Sequence, residues 1–224
     1  MTRFDDMNQA LTFRTVLFDL DGTLIDSVRL ILDSYHHTLA VHGLAAESDE
    51  FFLTGIGTPL WVQFKKWADD EELLAEMIAT YRAYNLEHHD RGVTPYPGVV
   101  EMVRAVRSAG LRTGLVTSKN RSGAFRGLGV AGLTDTMEVI VAADDVENPK
   151  PHPEPVHSAL RQLGQPASSA ILVGDSLHDM ESGRAARIKT GAVLWGPFDR
   201  AHLAPSAPDH WLETPADLLA LLGL

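Results

Sequence analysis

The sequence predicts a doubly wound α/β fold, a parallel sheet with helices on both faces, carrying a helical block inserted after its first strand. Three observations support this. Thr15-Val16-Leu17-Phe18 is an uninterrupted apolar, β-branched-rich run, as found in strands covered on both faces. From Pro97 onward helical periodicities alternate with short strand runs, a pattern that calls for right-handed crossovers and a mostly parallel sheet. Between the two, residues 27–92 read as helix and turn only. The expected division is a core of residues 1–26 and 93–224, and a helical insertion of residues 27–92.

Taken in order, residues 1–13 are polar and aperiodic, a lead-in. The first strand ends in Asp19 and Asp21, and Asp26 or Ser27 can cap a helix. Val28, Ile31, Leu32, Tyr35 and Leu39 share one face of it, and Gly43 stops it. Gly55-Ile56-Gly57-Thr58-Pro59 is a glycine-punctuated turn leading into residues 61–67. A second helix spans residues 70–89, with Leu73, Leu74, Met77, Ile78, Tyr81 and His88 as its stripe. Residues 91–98 then read as a linker. Helices at 99–109, 122–128, 154–163 and 180–187 alternate with strands at 112–116, 138–141, 170–173 and 190–194. A short strand at 210–212 and a helix at 215–222 close the pattern.

Composition narrows the function classes. With 224 residues, 45% hydrophobic and 22% charged, the chain matches an ordinary globular protein rather than a disordered or fibrous one. It has no cysteine, which excludes disulfides, thiolate nucleophiles and Cys-based zinc sites. No apolar run approaches a membrane span, and the N-terminus lacks signal-peptide features, so a cytoplasmic location is expected. The net charge of −11 argues against nucleic acid as a partner and requires that an anionic substrate be held by locally concentrated positive charge.

The polar groups fall where that requirement is met. Residues i and i+2 of an extended chain point to one side, so Asp19 and Asp21 can converge at the strand's carboxyl end, where open α/β sheets bind ligands. Two carboxylates so close repel unless a cation or a shared proton compensates; read alone, Asp21-Gly22 is also an ordinary turn dipeptide. Thr117-Ser118-Lys119, Lys150, and Asp175 with Asp179 follow or lie between later strands. In a parallel sheet all of these reach one edge.

Together, Asp19-Leu20-Asp21-Gly22-Thr23, Thr117-Ser118, Lys150 and Asp175 to Asp179 resemble the four motifs of the haloacid dehalogenase (HAD) superfamily. The likeness is to its phosphatase branch, with phosphoglycolate phosphatase, related pyrophosphatases and β-phosphoglucomutase, and a helical (C1-type) cap. It covers Thr15 to about Gly196. It implies a Rossmann-like core, a Mg²⁺ ion, and hydrolysis of a small phosphorylated metabolite through an aspartyl-phosphate. It further implies that Asp19 is the nucleophile and Asp21 the general acid/base, with its carbonyl on the metal. Thr117 corresponds to the phosphate-binding hydroxyl, Lys150 to the third-motif lysine and Asp175 to the direct metal ligand. Asp179 stands behind Asp175, orienting a water or Lys150 and counted with Asp19, Asp21 and Asp175 among the metal-site residues. Gly22, Ser118, Lys119, Gly55 and Gly57 are the expected substrate-binding positions. The alternatives are a phosphomutase using the same phosphoenzyme and a non-catalytic protein retaining the fold. A metal-free dehalogenase would have no use for Asp21 and Asp175 together. The chain is expected to act as a monomer or homodimer.

Other residues have plainer readings. His36-His37 and His88-His89 lack ligand spacing and are expected to pack or face solvent. His178, inside the fourth motif, is a candidate to approach substrate. Trp61, Trp67, Tyr81 and Tyr84 are expected in the core of the insertion. Arg82 and Lys65-Lys66 are candidate cations there, with solvation the plainer role. His152 and Arg187 stand where relatives often carry Asp and Gly; the second change bears on a turn.

Overall fold

The computed structural model describes residues 13–224; the lead-in over residues 1–12 lies outside them. Strand β1 (Thr15–Phe18) is wholly buried, as its unbroken apolar run requires. After the acidic turn come β2 (Ile25–Asp26) and four helices: α1 (Val28–Val41), α2 (Asp49–Leu53), α3 (Leu60–Phe64) and α4 (Glu71–Gly92). The chain returns through β3 (Thr94–Pro95) and then alternates as predicted. The elements are α5 (Val99–Ser108), β4 (Arg112–Val116), α6 (Arg121–Ala131), β5 (Val139–Val141), α7 (Glu154–Leu163) and β6 (Ala170–Gly174). They continue with α8 (Leu177–Ala185), β7 (Lys189–Val193), α9 (Arg200–Leu203), β8 (His210–Leu212) and α10 (Pro215–Leu222).

The sheet has six parallel strands in the order β5-β4-β1-β6-β7-β8. Phe18 pairs with Leu115 on one side and Val173 on the other, so β1, β4 and β6 end side by side at one edge. Pleating sends Leu17 and Phe18 to opposite faces. Phe18 joins Leu20, Val103, Leu115, Leu128 and Val173 beneath α5 and α6, and Leu17 joins Val116, Val156, Leu160 and Leu172 beneath α7.

The helices of the insertion hold a core of their own, built on Leu32, Tyr35, Leu39, Phe52, Phe64, Met77 and Tyr81. Tyr35 stacks on Phe52 with centroids 4.7 Å apart. Ser48 and Asp70 cap α2 and α4 by accepting the N–H groups of Phe51 (3.1 Å) and Leu73 (2.8 Å). Ser27 precedes α1 but makes no side-chain cap; its hydroxyl is diverted to Asp21.

Three further expectations are corrected. Residues 91–98 are not a plain linker, since β3 pairs antiparallel with β2 where the chain leaves and re-enters the sheet region. The buried stripe of α4 runs Met77, Tyr81, Asn85, His89 in steps of four, so His89 and not His88 lies inside. Trp61 is 45% exposed rather than core, and Tyr84 stacks between His37 and His88. Among the described residues no helix is long and apolar enough to cross a membrane.

Candidate active site

The edge where β1, β4 and β6 end carries the polar cluster that the motifs anticipated. Asp19 leaves β1 with its N–H bonded to the Val173 carbonyl (2.9 Å), which fixes it between its neighbours. Asp175 and Asp179 follow β6, and Asp179 is held at the start of α8 by a reciprocal cap with Ser176. Lys150, from the loop before α7, reaches under this edge. Its ammonium donates to Asp19 Oδ1 (2.7 Å), Asp179 Oδ1 (2.6 Å) and the Val116 carbonyl (3.1 Å), and the residue is 2% exposed.

Asp21 sits beside this cluster and takes hydrogen bonds from Ser27 Oγ (2.6 Å) and Lys119 Nζ (2.8 Å). Thr117 is buried at the end of β4, its Oγ1 accepting the Lys119 N–H (3.1 Å). Ser118 donates to the Gly57 carbonyl (2.6 Å), tying the Gly55–Pro59 turn to the strand edge. Gly57 lines the cavity above, but Gly55 does not; its carbonyl is taken by Thr58 and Gln63. Gly22 adopts φ +84°, and a Cβ there would run into Asp175 Oδ2.

The electrostatics divide the carboxylates into two kinds. Burial pushes the Asp19 carboxyl up to about 7; the Lys150 ammonium opposes the rise, and the Asp179 and Asp21 charges add to it. Burial, then Asp179 and Asp19, push Asp175 well above the usual carboxylate range. Asp21 behaves oppositely. Burial acts upward on it, but the Lys119 charge and the hydrogen bonds from Lys119 and Ser27 outweigh that and hold it low. Lys150 stays charged because Asp179 and Asp19 outweigh the effect of its burial.

The cluster suits a hard divalent cation. Asp19, Asp175 and Asp179 each offer a carboxylate oxygen, all within 4.8 Å of one another. Asp175 Oδ1 accepts from Thr23 Oγ1 (2.9 Å), whereas Oδ2 is buried with no partner among the described residues, an oxygen that a cation would satisfy. Asp179 is already committed, with one oxygen on Lys150 and the other on Ser176. Asp19 and Asp175 are therefore the better-placed donors.

Above the cluster lies a cavity of about 470 Å³, floored by Asp19, Asp21, Thr117 and Asp175 and roofed by the insertion through Ile56, Gly57, Tyr81, Arg82, Asn85 and His89. The candidate cations of the insertion separate here. Arg82 lines the cavity, while Lys65 and Lys66 lie over the rings of Trp61 and Phe51 outside it. His178 points elsewhere, its ring packed against Gly57. Thr23, His89 and Arg126 also belong to the site or its walls; Thr23 falls inside the Asp19–Thr23 motif, and the other two carry no sequence signal beyond residue type.

The model of the haloacid dehalogenase-like hydrolases matches residues 16–193, most of the chain and every residue of the cluster. The chain belongs to that family. This HAD chain is 43% identical over 217 residues to Pyrophosphatase PpaX of Bacillus pumilus, covering 97% of this chain and 99% of that one. It is 40% identical over 214 residues to Pyrophosphatase PpaX of Halalkalibacterium halodurans, covering 96% and 99%. Among solved structures, a hydrolase from Pseudomonas syringae superposes with a TM-score of 0.85 at 24% identity, over 94% of this chain and 98% of that one. A protein titled a predicted phosphoglycolate phosphatase, from Haemophilus somnus, gives 0.83 at 23% identity over 94% and 98%. The structural likenesses speak for the fold, and the sequence relatives place this HAD enzyme among the family's phosphatases.

Proposed function

We propose that the chain is a Mg²⁺-dependent phosphohydrolase of small phosphorylated metabolites, working through an aspartyl-phosphate on Asp19, with residues 27–92 as its cap. The observation that carries this reading is a carboxylate bonded to a buried lysine, beside a second carboxylate whose Oδ2 is buried without a partner among the described residues, on the floor of a cavity. The relatives that bear the name pyrophosphatase make pyrophosphate the first substrate to test, with phosphoglycolate beside it.

Attack on a phosphate dianion by a carboxylate needs charge neutralised on both partners. Lys150 contributes on the nucleophile's side and aligns Asp19 by holding Oδ1, leaving Oδ2 without a hydrogen bond among the described residues. A Mg²⁺ held by Asp19, Asp175 and the Asp21 carbonyl would supply Lewis-acid neutralisation of the phosphoryl oxygens. Asp179 orients Lys150. Thr117 and Ser118 bind the transferred oxygens, with Lys119 beside them. With an ester leaving group Asp21 enters the first step protonated and delivers that proton to the leaving oxygen; the carboxylate so formed, favoured by Lys119, then takes a proton from the water that cleaves the acyl phosphate.

The test is Asp19→Asn. With Mg²⁺, turnover of p-nitrophenyl phosphate should fall by about 10³ or more while the melting temperature shows a folded protein. Near-normal turnover in that variant would overturn the mechanism. Isomerisation of a sugar phosphate without phosphate release would assign the site to a mutase instead.

A further inference from the structure

The roof of the cavity contains a polar group that the mechanism above does not use. His89 ends the buried stripe of α4 and is 1% exposed. Its Nδ1 lies 3.2 Å from Asp90 Oδ1, and Asp90 is gripped by the Arg126 guanidinium at 2.7 and 3.0 Å. One ring nitrogen is thereby anchored to a carboxylate that α6 holds in place, which fixes the plane of the imidazole. The other, Nε2, is sealed from solvent and has no partner among the described residues, although His89 lines the cavity. Buried ring nitrogens with nothing to bond are uncommon; His178 Nδ1 and His210 Nε2 share the condition among the described residues, but of the three only His89 lines the cavity, where a ligand can complete the bond.

Arg82 lies seven residues earlier, two turns along the same face of α4, and also lines the cavity. It is exposed at the rim and makes no ion pair among the described residues. Across the cavity stands Lys119, bonded to Asp21 on the floor. The phosphoryl group on the floor is served by Lys150 and the strand-end hydroxyls. The groups on α4 stand above it, on the side from which a leaving group departs.

We propose that His89, through Nε2, and Arg82 form the leaving-group site, built for an oxyanion, the second phosphate of a phosphoanhydride. This rests on the reading of Asp19 and Asp175 as a phosphohydrolase centre and adds to it the residues that select the substrate. The Asp90–Arg126 pair positions His89. Nδ1–H is spent on the Asp90 carboxylate, so Nε2 donates only from the imidazolium; burial and the Lys119 charge favour the neutral ring in the free enzyme, and a phosphate oxyanion at Nε2 would hold the proton there. A departing phosphate offers several charged oxygens to that N–H and to the guanidinium, whereas an aryl or alkyl leaving group has a single oxygen at the cleaved bond.

The experiment measures kcat and KM with Mg²⁺ for pyrophosphate and for p-nitrophenyl phosphate, in the full chain and three variants. His89→Asn keeps a polar atom near the Nδ1 position and removes the reach of Nε2. It should lower kcat/KM for pyrophosphate by about 10- to 100-fold, the effect of losing one hydrogen bond to a charged group, and change the aryl ester by less than about threefold. His89→Gln, which returns an amide nitrogen near the Nε2 position, should recover part of the loss. Arg82→Met, at an exposed position, should raise KM for pyrophosphate about tenfold and spare the aryl ester. Equal losses on both substrates, or none, would overturn this inference alone. Should His89→Asn fail to fold, the Arg82→Met result decides by the same criterion. A wild-type enzyme that hydrolyses the aryl ester but not pyrophosphate would refute the leaving-group site and leave the phosphatase reading standing. A wild-type enzyme inert to both would overturn the two together.

Discussion

Replacing Lys150 with methionine tests how the carboxylates are held together. The ammonium is the only charge-compensating group bonded to both Asp19 and Asp179 among the described residues, and it is sealed from water. Removing one partner of a buried ion pair typically costs about 3–5 kcal/mol, because the remaining charges stay desolvated and unpaired. For a chain of this size each kcal/mol moves the melting temperature by about 2–4 °C, so a drop of about 6–20 °C is expected at pH 8 with chelator present. The sign of the pH dependence follows from Asp19, already raised to about 7 against 3.8 for the free group and raised further once Lys150 is gone. A carboxyl raised on folding binds its proton more tightly in the native state. Its stabilising contribution is complete below the unfolded pKa and is lost as pH climbs through the folded one. At pH 5 Asp19 of the variant therefore holds its proton, and the gap to wild type should shrink by at least half. Thermal melts of both proteins at pH 5 and pH 8 decide the matter. A gap that is absent, or equal at the two pH values, would refute the idea that Lys150 compensates a desolvated carboxylate cluster.

Two further substitutions probe backbone positions. Gly22→Ala puts a methyl group against Asp175 at a φ of +84°; the protein should fold yet lose about 100-fold in activity, with a weaker Mg²⁺ dependence in the activity titration. Arg187 is exposed, makes no ion pair among the described residues, and sits at φ +59°, where glycine is favoured. Arg187→Gly should raise stability by about 0.5–1 kcal/mol, seen as a melting temperature about 1–4 °C higher, with activity unchanged.

The sheet was legible because its strands are buried on both faces. Thr15–Phe18 and Ala170–Val173 carry their apolar character in sequence, and the acids that follow them interrupt it sharply, while Arg112–Val116 ends in Leu115-Val116 before Thr117-Ser118-Lys119. The insertion was harder to phase. The buried face of α4 includes Asn85, which donates to Ser34 Oγ at 3.1 Å, and His89, so its apolar stripe breaks off after Tyr81. Periodicity then favoured His88, which in fact bonds the Tyr84 carbonyl at 2.9 Å. Strands β2 and β3 are two residues each, too short to produce a pattern at any period. The Arg126–Asp90 pair joins residues 36 apart on different helices, and no local rule anticipates it.

The charge balance at the strand edge bears on why an acidic protein can hold phosphate at all. Asp19, Asp21, Asp175 and Asp179 face Lys119 and Lys150, so the ionised cluster carries two negative charges in excess. One divalent cation brings it to neutrality and no further. A neutral floor no longer repels a phosphoryl dianion, but it does not attract a second anionic group. Any added attraction for a charged leaving group has to come from above. Arg82 and His89 stand there on the insertion. Docking α4 over the strand edge would therefore complete the electrostatic environment for a doubly phosphorylated substrate as well as exclude water. Substrates with an uncharged leaving group would be served by the floor alone.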